Sequence, residues 1–209
     1  YGKTWTSIEG DLPGDRIART VRQDPKNPNV LYLGTEIGLF FSHNGGKNWI
    51  ELKSNMPTLP FNDLVIHPRD NDLILGTHGR GVWILDNINA LQEMDNVSDK
   101  AHLFTIADAE MINYTRDGAH TGEMFYRGQN PARGVMIDYY LADSVRRKDI
   151  SIEILDVEGN LVNTVNARRT PGVHRVLWGF GHKAFQAAQR NGNSRGGGGF
   201  GLNGPMAMP

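Results

Sequence analysis

An all-β chain is predicted by three features of the sequence. Glycine is the outlier of the composition, 25 of 209 residues, which implies many turns and therefore many short strands. Short apolar, β-branched or aromatic runs recur, each bounded by Gly, Asn, Asp or Pro, the usual punctuation of strands. The first half also repeats itself about every 43 residues, with no 3.6-residue periodicity inside the repeat.

Three anchors carry the repeat. Gly2-Lys3-Thr4-Trp5 returns as Gly46-Lys47-Asn48-Trp49, Asp24-Pro25 as His67-Pro68, and Val30-Leu31-Tyr32-Leu33-Gly34-Thr35 as Asp72-Leu73-Ile74-Leu75-Gly76-Thr77. Within one period the predicted strands are Ile17 to Gln23, Val30 to Gly34, Gly38 to Ser42 and Trp49 to Leu52. Four short antiparallel strands in about 43 residues describe one blade of a β-propeller. The run Val82-Trp83-Ile84-Leu85-Asp86-Asn87 is the matching strand of the last copy.

The turn from Ser42 to Trp49 has a readable purpose. A short polar side chain at Asn44 can accept hydrogen bonds from turn N–H groups, Gly45 and Gly46 can supply positive φ, and Trp49 can bury a large ring. Ser42, Asn44, Gly46 and Trp49 are therefore read as a structural clasp. With the pattern Ser-x-Asn-x-Gly-x-Asn-Trp, this turn resembles the Asp-box, or BNR, repeat, with Asn44 replacing its Asp and Asn48 its Thr. Gly2 to Trp5 resembles the tail of another copy. The string Gly76-Thr77-His78-Gly79-Arg80-Gly81-Val82-Trp83-Ile84-Leu85-Asp86 is similar to the end of the propeller in sortilin-like, BNR-repeat "glycosyl hydrolase" proteins.

Strand patterning resumes after an irregular stretch, where Asp117-Gly118 marks a turn. His102-Leu103-Phe104 is expected as a short strand finishing the last blade or covering its edge. Val135 to Leu141, Asp149 to Asp156, Leu161 to Val165 and Gly172 to Trp178 follow as strands, with Glu158-Gly159-Asn160 as a hairpin turn. This reads as an immunoglobulin-like β-sandwich. The resemblance implies the same, with closing strands beyond Pro209. The glycine-rich run Arg195 to Gly201 lacks the Lys-Ser/Thr of a phosphate loop, and no helix follows it, so it is read as a solvated loop. The division is residues 1–92 for the last blades of the propeller, 93–130 for a connecting segment, and 131–209 for a truncated, incomplete sandwich. Tyr1 begins inside a repeat motif and Pro209 ends where another strand is expected, so the chain reads as an internal fragment.

Charge and composition narrow the function. A formal net charge of −1, with neither half far from neutral, argues against nucleic acid as a partner. No apolar run approaches the roughly 18 residues of a membrane span. The chain has no Cys, which removes disulfides, thiolate metal sites and Cys nucleophiles together. His43, His67, His78, His102, His120, His174 and His182 share no HxxxH-type spacing, so no metal is expected, and no motif calls for a cofactor.

The second-to-third-strand loops hold the polar candidates His78, Arg80 and Glu36. Arg80 can pair with a carboxylate, such as that of a sialic acid or an acidic peptide. In the other reading His78 and Arg80 pin the blade to its neighbour. Glu36 is either an acid/base group or a solvated turn residue. Asp63, Asp70, Asp72 and Asp86 offer carboxylates, but no spacing singles out the pair that glycoside hydrolysis needs. The resemblance implies a noncatalytic interaction module of an exported, extracytoplasmic or secreted protein, binding peptide, protein or glycan. The alternative is part of a sialidase- or xyloglucanase-type glycoside hydrolase whose catalytic carboxylates lie outside these residues. A third reading is a purely structural portion.

Overall fold

The computed structural model describes residues 2–53, 55–97, 100–112 and 133–181. The turn at Asp117-Gly118, His120, His182 and the glycine-rich run at 195–201 lie outside them. The described residues form an all-β protein of several antiparallel sheets, none of them closed on itself.

The first sheet is a four-stranded meander of β1 (Ala18–Gln23), β2 (Leu31–Thr35), β3 (Leu39–Ser42) and β4 (Ile50–Glu51). The second holds β5 (Phe61–Ile66), β6 (Leu73–Thr77) and β7 (Val82–Leu85) in the same order. Their registers repeat. Tyr32 faces Phe41 and Leu33 faces Phe40 in the first sheet, as Ile74 faces Ile84 and Leu75 faces Trp83 in the second. A bulge falls at the same place in both, between Ala18 and Thr20 opposite Thr35 and Gly34, and between Phe61 and Asp63 opposite Thr77 and Gly76. The repeat in the sequence is therefore a repeat in hydrogen bonding.

Side chains opposite one another in register share a face. Tyr32, Leu39 and Phe41 on one face of the first sheet pack against Leu64, Leu73 and Leu75 on the second. Between the sheets Gly34 lies so close to β5 that a Cβ there would meet the Phe61 carbonyl oxygen at 2.7 Å, which requires glycine. The opposite face of the first sheet, with Leu31, Leu33, Phe40 and Trp49, is covered in part by Leu12 of the N-terminal segment. Both faces of β2 are thus covered, and all five of its residues are buried. Trp5, the counterpart of Trp49 in the first copy of the motif, is 90% exposed.

A short helix, α1 (Asn89–Gln92), leads to β8 (Ala101–Leu103), which pairs with β9 (Val135–Leu141). It therefore joins a sheet of the second half rather than the edge of β7. β9 pairs in turn with β12 (Gly172–Trp178), and β10 (Ile152–Leu155) forms a separate hairpin with β11 (Leu161–Val165). β10 starts later than its sequence pattern suggests because Arg147–Asp149 close a 3-10 turn, with Arg146 paired to Asp149 at 2.9 Å. The hairpin turn is held by Asp156, whose carboxylate accepts from the N–H groups of Glu158 and Asn160 at 3.0 and 2.7 Å, while Gly159 takes φ 86°. The Asn160 side-chain amide, which donates to the same carboxylate at 3.0 Å, and then these N–H bonds hold the Asp156 carboxyl below the usual carboxylate range.

Among the described residues, an apolar cluster and an ion pair are among the contacts that join the halves. Ala90, Phe104 and Val173 form a small apolar cluster. Beside it Arg175 makes two bonds of 2.8 Å to the buried Asp138 carboxylate and donates at 2.6 Å to the carbonyls of both Asp86 and Asn87.

Candidate functional site

The predicted residues fall at two ends of the sheets. The hairpins β2–β3 and β6–β7 share one end and are built alike. In each, the threonine closing the strand bonds through both its N–H and its hydroxyl to one carbonyl, Thr35 to Gly38 and Thr77 to Gly81. In each, the next N–H reaches back to the segment before the neighbouring strand, Glu36 to Ile17 and His78 to Pro60. Glu36 and His78 are therefore equivalent positions.

Their side chains differ in circumstance. The Glu36 carboxylate is taken up by the Arg19 guanidinium, so it is an ion-pair member rather than a free acid/base group. His78 and Arg80 are exposed, and among the described residues no hydrogen bond or ion pair engages either side chain. The pin to a neighbour finds no partner there. Gly79 and Gly81 flank Arg80 with φ of 79° and 70°, and the Thr77–Gly81 bonds fix the loop. The result is a defined loop presenting one unengaged guanidinium.

The Asp-box residues come together at the opposite end, in the turn after β3. The Ser42 hydroxyl accepts from Gly46 N–H at 2.9 Å, and Asn44 Oδ1 accepts from Asn48 N–H at 2.9 Å. Gly45 and Gly46 take positive φ. Asp11, which sequence reasoning missed, completes the turn. Its carboxylate accepts from Trp49 N–H at 2.6 Å and Asn48 Nδ2 at 3.0 Å, and Trp49 Nε1 donates to the Ile8 carbonyl at 2.9 Å. The bonds from Asn48 and Trp49 hold the Asp11 carboxyl below the usual range. The turn thus fastens residues 8–12 to the first sheet.

A buried polar network links the strand connections at this end. Asp24, 2% exposed, accepts from the N–H groups of Lys26 and Asn27, from the Tyr32 hydroxyl and from Gln92 Nε2. Burial beside that carboxylate pushes the Tyr32 phenol up, so it stays protonated and donates. Gln92 and Asn71 exchange bonds of 2.9 Å in both directions, and Asn71 donates to Asn89 at 2.7 Å. Interlocked partners of this kind rigidify rather than react.

Alongside lies a cavity of about 870 Å³, lined by Arg69, Asp70, Asp72, Asp86 and the chain from Ala107 to Glu110, among others. Burial and the neighbouring Asp72 carboxylate push the Asp86 carboxyl up, against an opposing pull from Arg175. Asp72 accepts from Asn87 N–H at 2.8 Å. Two of the four sequence-noted carboxylates are thus near neighbours, while Asp63 is drawn off to Arg22 at 2.6 Å. No group of three or more metal-ligating side chains assembles among the described residues. The chain matches no family model, no curated protein and no solved structure.

Proposed function

We propose that this chain is a noncatalytic binding module that takes a carboxylate-bearing peptide, protein or glycan at the β6–β7 hairpin. The carrying observation is Arg80, exposed and unengaged on a loop fixed by Thr77 and two positive-φ glycines. A guanidinium held this way can form two parallel bonds to a carboxylate at little ordering cost. The proposal takes the two repeated sheets as consecutive blades of a BNR-type, sortilin-like propeller and the second half as part of an immunoglobulin-like sandwich, on an exported protein. The matching registers, bulges and hairpins of the two sheets support the blade reading.

Arg80→Ala is expected to weaken binding of an acidic probe by about ten- to a hundredfold, the worth of one charge-assisted pair. The unfolding midpoint is expected to stay within the scatter of an ordinary surface substitution. Calorimetric titration with 3′-sialyllactose and a tetraglutamate peptide, with lactose as control, reads the first; thermal melting reads the second. A large loss of stability would make Arg80 a structural pin instead.

One observation favours a glycoside hydrolase, with its carboxylates within these residues rather than outside them as the sequence reading has it. Asp72 and the raised Asp86 share a cavity wall, and hydrolysis needs one protonated and one ionised carboxyl. Asp86→Asn separates the two. A raised carboxyl binds its proton more tightly folded than unfolded, so stability declines as pH rises from the ordinary carboxylate range through the folded value. The binding reading therefore expects Asp86→Asn to melt higher than the parent at neutral pH and to leave probe binding unchanged. Turnover of sialosides, β-glucans or xyloglucan by the parent, lost in Asp86→Asn, would establish the hydrolase.

A further inference from the structure

We propose that the β6–β7 loop takes a tetrahedral oxyanion, a sulfate or phosphate monoester, with the loop's own N–H groups acting beside the Arg80 guanidinium. This rests on Arg80 as the anion contact of the binding reading and names the chemical group it selects. The two equivalent hairpins match as far as the N–H groups of Glu36 and His78, then part. The first closes from Thr35 to Gly38, and none of its residues takes positive φ. Its Ile37 N–H is taken by the Thr35 hydroxyl at 3.3 Å, and Glu36 adds a carboxylate that repels an anion. The second closes from Thr77 to Gly81, one residue longer, and holds no acid. Along it φ alternates in sign: 79° at Gly79, negative at Arg80, 70° at Gly81.

A turn that alternates in this way gathers successive N–H groups into an anion-binding concavity. Among the described residues, the N–H groups of Gly79, Arg80 and Gly81 meet no acceptor. A Cβ at Gly79 or Gly81 would meet nothing within 4 Å, so glycine stands there for its φ and not for want of room. The same open space admits a ligand. The donors then choose among anions. A carboxylate has two oxygens, and a guanidinium fork takes both. A sulfate or phosphate monoester has three terminal oxygens, so one remains for the loop N–H groups once the fork is satisfied. Such an ester fills donors that a carboxylate leaves to water.

Galactose 6-sulfate, galactose 6-phosphate and galacturonate carry their anions at one position of one sugar. Calorimetric titration of the intact chain with each, and with galactose as control, tests this. The sulfate ester and the carboxylate each carry a single charge, so their difference reads shape rather than charge. Galactose 6-sulfate is expected to bind about tenfold or more tightly than galacturonate, the worth of one further charge-assisted bond. Given that preference, the tighter of the two esters names the source of the oxyanion. The Gly79 and Gly81 N–H resonances are expected to move downfield and saturate with the ester. Gly79→Asn, which tolerates positive φ, is expected to keep the preference. Gly79→Val, which does not, is expected to lose it while still binding galacturonate through Arg80; melting midpoints check that both variants fold. A sulfate ester bound no more tightly than galacturonate, glycine N–H resonances that stay in place, or a preference that survives Gly79→Val would overturn the proposal. Equal binding of the two that is lost in Arg80→Ala would still leave the binding reading standing. Binding of neither, or binding untouched by Arg80→Ala, would remove both.

Discussion

Arg175→Ala is expected to lower stability by about 3–5 kcal/mol, the usual cost of removing one partner from a buried pair. Asp138 is 5% exposed, and its carboxylate takes both of its charge-assisted bonds on Arg175. Without the guanidinium that charge is left buried and uncompensated. The carbonyls of Asp86 and Asn87 lose a donor at the same time, which loosens the junction of β7 with the β8–β9–β12 sheet. Chemical denaturation reads the loss. The double variant Arg175→Ala, Asp138→Ala is expected to be more stable than Arg175→Ala alone, because it removes the orphaned charge. A double variant that loses the full sum of the single effects would show that the pair is not the source.

Trp49→Ala is expected to cost about 3–5 kcal/mol, as for other buried tryptophans, and to lower the melting midpoint by about 10 °C in a chain of this size. The ring packs with Leu31, Leu33 and Phe40, and its Nε1 holds the Ile8 carbonyl. Its loss opens the apolar face of β2 and frees one fastening of residues 8–12. Amide exchange along that segment is expected to accelerate in the variant. An unchanged midpoint would contradict the packing described for this sheet.

Much of this was legible in the sequence where the determinants are local. β9, β11 and β12 lie where short apolar runs and flanking turn residues put them, because strand boundaries are punctuated locally. The repeat was legible because both copies keep the same Gly-Thr ending on the central strand. Partners distant in sequence were not. Nothing around His102 indicates that its strand pairs with β9 rather than with β7, since pairing is decided by residues far along the chain. Asp11 was hidden for a related reason. Asn44 and Asn48 supply an incomplete set of acceptors for the turn, and the missing carboxylate comes from 37 residues away. The Asp24–Gln92 bond spans 68 residues, although Asp24-Pro25 itself stood out as a repeat anchor. Of the site residues, the sequence could place Glu36 and His78 in equivalent loops. It could not foresee that Arg19 occupies one and leaves Arg80 unengaged beside the other.

The most direct test of the binding account is the Arg80 side-chain Nε–H resonance, followed by NMR while 3′-sialyllactose and then the tetraglutamate peptide are titrated in. The account predicts a saturable downfield shift with one or both acidic probes, none with lactose, and no such shift of the already paired Arg19. An Arg80 signal that stays in place while either acidic probe binds elsewhere, or that moves equally with lactose, would contradict it.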